Sequence, residues 1–140
     1  MECPTFYIWV NDKEFIEIYD CSFNFGFDDY HNISNLEIYV SEENCNDIFG
    51  LQFYQHAETP GLGAEVDNPK WRAQWKGKKL NNENGELMIQ VAKTMNSKEY
   101  HVDALAGATL TSNGVDNLVK FWMGETGFKK FLTNLKNGAV

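Results

Sequence analysis

Residues 103 to 113 separate a predicted strand-rich part of the chain from a predicted helical part. They read Asp103-Ala104-Leu105-Ala106-Gly107-Ala108-Thr109-Leu110-Thr111-Ser112-Asn113. They run from an extended apolar segment through small residues to hydroxyl side chains, which predicts a helix that begins near Ser112. Unpaired backbone N–H groups at such a helix start attract a phosphate, and Gly107 and Ala108 let a bulky ligand approach the main chain. The residues alone leave two interpretations open: an anion site, or a helix start that Thr109, Thr111 or Ser112 merely caps.

Helices are predicted on the C-terminal side of this stretch. The apolar residues recur at i, i+3, i+4 and i+7, which is typical of one buried helix face. In the first helix, which Gly124 ends, they are Val115, Leu118, Val119 and Trp122. In the second helix, which ends before Gly138, they are Phe128, Phe131, Leu132 and Leu135.

Strands are predicted on its N-terminal side. They cover Thr5–Val10 and Phe15–Asp20 around a turn at Asn11-Asp12-Lys13, an alternating segment with Leu36, Ile38 and Val40, then Ile48–His56, Leu87–Ala92 and Tyr100–Leu105. Pro60-Gly61 predicts a type II turn, and Asn68-Pro69 starts a short helix with Trp71 and Trp75 on one face. The pattern predicts an α+β fold in which helices cover a mostly antiparallel sheet.

Charge and composition exclude several classes of protein. The 140 residues carry a net charge of −8, and residues 1–50 hold eleven acids against the single base Lys13. Nucleic-acid binding needs a basic footprint, so no nucleic-acid partner is expected. The three cysteines and three histidines have no metal-ligand spacing, so no metal site is expected. No run of about 18 apolar residues occurs, and no membrane span is therefore expected in this chain.

Three motifs, in order, resemble the FMN-binding domains found in the C subunit of the sodium-translocating NADH:quinone reductase and in its Rnf-complex relatives. The family's flavin-attachment pattern is Asp, two variable residues, Ser or Thr, Gly, Ala, Thr, and it corresponds here to Asp103 through Thr109. Upstream, residues 58–63 read Glu58-Thr59-Pro60-Gly61-Leu62-Gly63, like the family's flavin-contacting loop. Downstream, residues 121–128 are closer to the sodium-pump protein than to the Rnf one.

The resemblance implies an FMN cofactor joined through a phosphoester to the Thr109 side-chain oxygen. It implies hydrogen bonds from Glu58 and Thr59 to the flavin and packing of Leu62 on the ring. Asp103 either orients the loop before Thr109 or meets the ribityl hydroxyls. Besides Thr109, the implied cofactor-binding residues are Glu58, Thr59, Leu62, Gly63, Asp103, Ala104, Leu105, Gly107, Ala108, Leu110 and Thr111.

The resemblance also implies a role for the whole chain. Residues 1–140 are interpreted as one FMN-binding domain, with the match strongest over 48–140 and weak over 1–45. The implied function is that of an electron carrier, not a complete enzyme, with the other subunits of a membrane redox complex and a flavin transferase as partners. The implied location is the extracytoplasmic, periplasmic face of the bacterial inner membrane.

Two departures from the family pattern, Ala106 and the weak match over 1–45, favour the first of two alternatives. Ala106 stands where the family has Ser or Thr, so a hydroxyl group is missing from the attachment motif. The alternatives are a flavin-free scaffolding or assembly subunit and a free-standing domain with dissociable FMN. His56 and His101 are not expected to be general bases, since no nucleophile spacing or metal partner accompanies them.

Overall fold

The main sheet consists of four antiparallel strands in the order β1-β2-β3-β4. The computed structural model describes residues 8–10, 15–21, 33–41 and 43–138. The strands are β1 (Ile8–Val10), β2 (Phe15–Cys21), β3 (Ile33–Ser41) and β4 (Ile48–His56). Each strand pairs with its sequence neighbour, as in the registers Ile8↔Ile18 and Ile38↔Leu51. The predicted turn at 11–13 and the start of the first predicted strand lie outside the described residues.

A second, two-stranded sheet pairs β5 (Gln90–Ala92) with β6 (His101–Asp103) in parallel. Both strands are shorter than predicted. The predicted strand at 87–92 begins late because Leu87 forms only an isolated bridge with Asn81. The predicted strand at 100–105 ends early because the chain leaves the ladder after Ala104 N–H donates to Ala92 O at 3.1 Å.

The helices are the 3₁₀ turn at Gly63–Asp67, α1 (Pro69–Ala73), α2 (Thr109–Met123) and α3 (Lys129–Lys136). The start of α1 is as predicted, because Asn68 Oδ1 accepts from Lys70 N–H and Pro69 occupies the first turn. Gly124 ends α2, also as predicted. The α+β class is confirmed.

One hydrophobic core joins the sheets and the helices. Ile38, Val40 and Ile48 contribute from the main sheet, and the predicted stripe of α2 is buried with them. Trp71 and Trp75 are also buried, with ring centroids 5.8 Å apart in an edge-to-face arrangement. Trp71 also donates a hydrogen bond to Asp103 O, which joins α1 to the residues that lead into α2, and the candidate site lies at that junction.

Candidate functional site

The first turn of α2 carries Thr109 as its first helical residue. The prediction that the helix begins near Ser112 is wrong by about one turn. Ala108 is the N-cap and makes no side-chain cap bond, so no hydroxyl caps this helix. The N–H groups of the first turn have no intrahelical acceptor and carry the positive end of the helix dipole. Thr109 and Leu110 are exposed beside these donors.

Ser112 is buried inside the helix, where it ties the preceding loop to the first turn. Its Oγ accepts from Leu105 N–H at 2.9 Å and donates to Ala108 O at 2.9 Å. These two hydrogen bonds to the main chain explain the early helix start, because Ser112 satisfies polar groups of the loop from within the helix. The capping preference of serine is therefore a misleading signal at this position.

The loop at 58–63 adopts the predicted turn. Leu62 N–H donates to Thr59 O at 3.1 Å, and Gly61 has φ 77°, as the third position of a type II turn requires. Thr59 is exposed, and its carbonyl holds the turn together. Leu62 is 45% exposed, and its Cδ2 would lie 3.5 Å from a Cβ placed at Gly107, which has φ 71°. The turn therefore lies beside the attachment motif.

A carboxylate–hydroxyl bond joins this loop to α2. Thr111 Oγ1 donates to Glu58 Oε2 at 2.7 Å across 53 positions of sequence. Gly63 lies against both groups, and a Cβ at this position would overlap Glu58 Oε2 and Thr111 Oγ1. The other carboxylate oxygen, Glu58 Oε1, is buried with no partner among the described residues. An unpaired buried acceptor of this kind marks a position where a ligand donor can bind.

His56 fixes the start of the same loop. Its Nδ1 accepts from Glu58 N–H at 3.2 Å, so the ring proton lies on Nε2, which is 2.6 Å from Asp67 Oδ2. With both ring nitrogens engaged, His56 orients the backbone of Glu58.

Asp103 is exposed, yet three side chains hold it. Its carbonyl accepts from Trp71 Nε1–H at 2.7 Å, and its N–H donates to Gln74 Oε1 at 3.0 Å. Its carboxylate oxygen Oδ1 lies 2.9 Å from Nε2 of the buried His101. The attachment motif therefore begins at a residue whose main chain and side chain are both anchored.

A cavity of about 440 Å³ opens between α1 and the loop at 103–106. Such a volume is in the range of small-molecule sites. Its wall combines acidic, basic, amide and apolar groups: Gly61, Glu65, Asn68, Lys70, Trp71, Gln74, Asp103, Ala104, Leu105 and Ala106.

The predicted site residues fall into three neighbouring groups. Asp103, Ala104 and Leu105 line the cavity. Glu58, Gly63 and Thr111 pack together, Thr59 and Leu62 belong to the adjoining turn, and Gly107 lies near Leu62. Ala108, Thr109 and Leu110 form the helix start. The cavity residues of the 3₁₀ turn and α1 were not predicted from the sequence, where the helical spacing of Trp71 and Trp75 was the available signal.

Residues 29–124 match the family described as FMN-binding domain, and the chain belongs to this family. The FMN cofactor expected from the sequence is thereby confirmed. Among curated relatives, the C subunit of the Na(+)-translocating NADH-quinone reductase of Pseudomonas aeruginosa is 56% identical over 100 residues, covering 68% of this chain and 38% of that protein. The same subunit of Vibrio parahaemolyticus is 48% identical over 101 residues, covering 71% of this chain and 39% of that protein.

Two solved structures have the same fold. NqrC of Shewanella oneidensis superposes with a TM-score of 0.68 at 30% identity, covering 88% of this chain and 55% of that one. The C subunit of the Na(+)-translocating NADH-quinone reductase of Parabacteroides distasonis gives a TM-score of 0.69 at 29% identity, covering 91% of this chain and 62% of that one. The chain spans less than two-fifths of the length of the Pseudomonas and Vibrio proteins. Within the described residues, no helix has the length and apolar character needed to cross a membrane.

The described residues fit FMN at three points. The uncapped start of α2 offers N–H donors for a phosphate. The cavity beside Asp103 and Trp71 has room for a ligand with both apolar and hydroxyl-bearing parts. Glu58 Oε1 is a buried acceptor without a donor in the described part of the chain.

Proposed function

We propose that this chain is the flavin-carrying electron-transfer domain of the C subunit of a sodium-translocating NADH:quinone reductase, with FMN joined to Thr109. The observation that carries the proposal is an exposed threonine as the first residue of an uncapped 15-residue helix. The similarity to the proteins of Pseudomonas and Vibrio supports it. When bound, FMN would supply the electron-accepting and electron-donating chemistry.

Thr109 would act as an acceptor of the flavin phosphate. Its Oγ1 would lose its proton to solvent or to the transferase and form an oxygen–phosphorus bond, while the phosphoanhydride bond of a flavin dinucleotide donor breaks and the nucleoside monophosphate leaves with the bonding electron pair. A flavin transferase would catalyse this exchange. The helix dipole and the N–H groups of the first turn would offset the charge of the attached phosphate. A covalent link also prevents loss of the cofactor when its charge changes during redox cycling.

The remaining predicted residues would hold and orient the flavin. Glu58 Oε1 would accept a hydrogen bond from a polar edge of the cofactor, while Thr111 keeps the carboxylate in place. Leu62 would pack on the ring, which the adjacent Gly107 allows to come close to the main chain. The chain's part is to orient the cofactor and tune its potential through these groups.

The partners and location proposed for the domain follow from the resemblance. They are the other subunits of the membrane complex, a flavin transferase, and the periplasmic face of the inner membrane. The domain would relay electrons between neighbouring redox centres and would not be a complete enzyme alone.

The test is the mass of the denatured protein after co-expression with a flavin transferase, with peptide mapping of residues 99–120. A gain of one FMN less one water on the Thr109 peptide is expected. Thr109→Ala should lose this gain, whereas Thr133→Ala, which changes an exposed threonine of α3, should retain it.

Three results would contradict the proposal, and the first two each support a different alternative. Flavin that is released on denaturation would support a domain with dissociable FMN. A folded, colourless protein obtained with an active transferase would support the scaffolding role, which the missing hydroxyl at Ala106 favours. Covalent flavin in Thr109→Ala would show that the cofactor is attached to another residue and would refute the assignment of Thr109.

A further inference from the structure

The anchoring of Asp103 by His101 has no role in the function proposed so far. The Asp103 side chain is 63% exposed, and an exposed carboxylate ordinarily samples several rotamers. Here the carboxylate lies 2.9 Å from Nε2 of His101, a side chain that is only 2% exposed. The bond therefore ties a surface group to the core of the domain.

Two further contacts hold the main chain of the same residue. Trp71, from α1, donates to its carbonyl, and Gln74, at the end of α1, accepts from its N–H. Trp71, Gln74 and Asp103 also line the cavity. Asp103 is therefore a residue of the cavity wall whose main chain is held by α1 and whose carboxylate is held by His101, six residues before Thr109.

The hydrogen-bonding state of His101 makes it a donor to Asp103. Its Nδ1 is buried and has no partner among the described residues. A proton on Nδ1 would be a buried donor without an acceptor, which is unfavourable, so the ring proton lies on Nε2 and points to the carboxylate. His101 can thus orient Asp103 through Nε2. Its Nδ1 is buried and is not available to a reacting group.

We propose that His101 is a positioning residue for flavin attachment, which it supports by holding the carboxylate of Asp103, a residue of the cavity wall, in one orientation. The carboxylate accepts hydrogen bonds, so the chemistry that it recognises is a hydroxyl-bearing chain such as the ribityl part of the flavin. His101 takes no part in the bond changes at Thr109 and acts through Asp103 alone. This inference rests on the proposed attachment of FMN at Thr109.

Two substitutions of His101 separate the hydrogen bond from the packing. The amide nitrogen of glutamine lies as many bonds from the backbone as Nε2 of histidine, so His101→Gln keeps a donor toward Asp103. The amide nitrogen of asparagine corresponds instead to Nδ1, so His101→Asn is polar and buried but lacks this donor. A third variant, His101→Phe, retains the ring shape without any donor.

The measurement is the initial rate of flavin attachment, followed by intact mass with purified transferase and flavin dinucleotide. His101→Phe and His101→Asn should slow attachment by about tenfold or more, as expected for a lost hydrogen bond to a charged group. His101→Gln should stay within about threefold of the unchanged protein. Equal rates for the Gln and Asn variants would overturn the proposal.

A double-mutant cycle tests whether His101 acts through Asp103. Asp103→Ala should slow attachment, and adding His101→Phe to it should have no further effect. If His101→Phe slows attachment as much in the Asp103→Ala background as alone, the two residues act independently, and the positioning role is wrong.

Amide hydrogen exchange supplies a readout that needs no flavin. The amides of residues 103–107 should exchange faster in His101→Asn than in His101→Gln, while α2 stays equally protected in both. If the unchanged protein takes no flavin at Thr109, the proposed function fails, whereas the exchange comparison still tests the anchoring. Equal exchange in the two variants would refute the anchoring itself.

Discussion

Thr111→Val tests the bond that joins the loop at 58–63 to α2. Valine has nearly the shape of threonine and is β-branched as well, so the substitution removes the hydroxyl without opening a cavity. Thr111 is 4% exposed, and its hydroxyl is the donor to Glu58 Oε2 at 2.7 Å. Because Glu58 Oε1 is already buried without a partner in the described part of the chain, the variant leaves both carboxylate oxygens unpaired.

The expected loss follows from the energetics of hydrogen bonds to charged groups. Such bonds contribute about 1.5–3 kcal/mol, and removing one partner leaves the other with an uncompensated desolvation penalty. We therefore expect Thr111→Val to lower the free energy of unfolding by about 1.5–3 kcal/mol. Urea denaturation followed by tryptophan fluorescence measures this quantity.

The matched control is Thr133→Val, which changes an exposed helical threonine whose hydroxyl donates only to Lys129 O. Its stability should change by about 0.5 kcal/mol or less. In a Glu58→Met background, where the Thr111 hydroxyl has lost its acceptor, Thr111→Val should be neutral or stabilising. A loss below about 0.5 kcal/mol for Thr111→Val alone, or the same loss in both backgrounds, would refute the reasoning.

Three further substitutions probe the neighbouring backbone and the missing hydroxyl. Gly63→Ala should lower the free energy of unfolding by about 1–3 kcal/mol in urea denaturation, because its Cβ would overlap Glu58 Oε2 and Thr111 Oγ1; a stability equal to that of the unchanged protein would contradict this close packing. Gly107→Ala should lower it by about 1–2 kcal/mol because φ is 71° there; an unchanged unfolding midpoint would argue against that backbone geometry. Ala106→Ser should change stability by about 0.5 kcal/mol or less, since the residue is exposed, and should maintain or raise the extent of flavin attachment by intact mass. A clear fall would mean that other residues of this chain accommodate the alanine.

The family and its cofactor could be predicted from the sequence because the evidence for them is local. The attachment motif and the loop at 58–63 are short runs in which neighbouring residues carry the signal. The same holds for the turn at Pro60-Gly61 and for the start of α1 at Asn68-Pro69, where proline and glycine set the backbone and an amide caps the helix.

Positions at which a side chain has a choice of hydrogen-bond partners were predicted less well from the sequence. Serine and threonine favour caps in general, and this preference places the start of α2 too late. In the structure, Ser112 bonds to Leu105 and Ala108 from inside the helix. The capping preference of serine does not indicate which partners Ser112 bonds to, because that depends on where the loop after β6 lies in the folded chain.

The sequence by itself determined which residues are chemically able to form a flavin site and the order in which they occur. Only the tertiary structure decided which of them meet. Glu58 reaches Thr111 across 53 positions, and Asp103 is held by Trp71, Gln74 and His101. Contacts between distant segments depend on how the sheets and helices pack, and hydrophobic burial drives that packing without specifying polar partners. The polar bonds of the site are therefore a consequence of the assembled core.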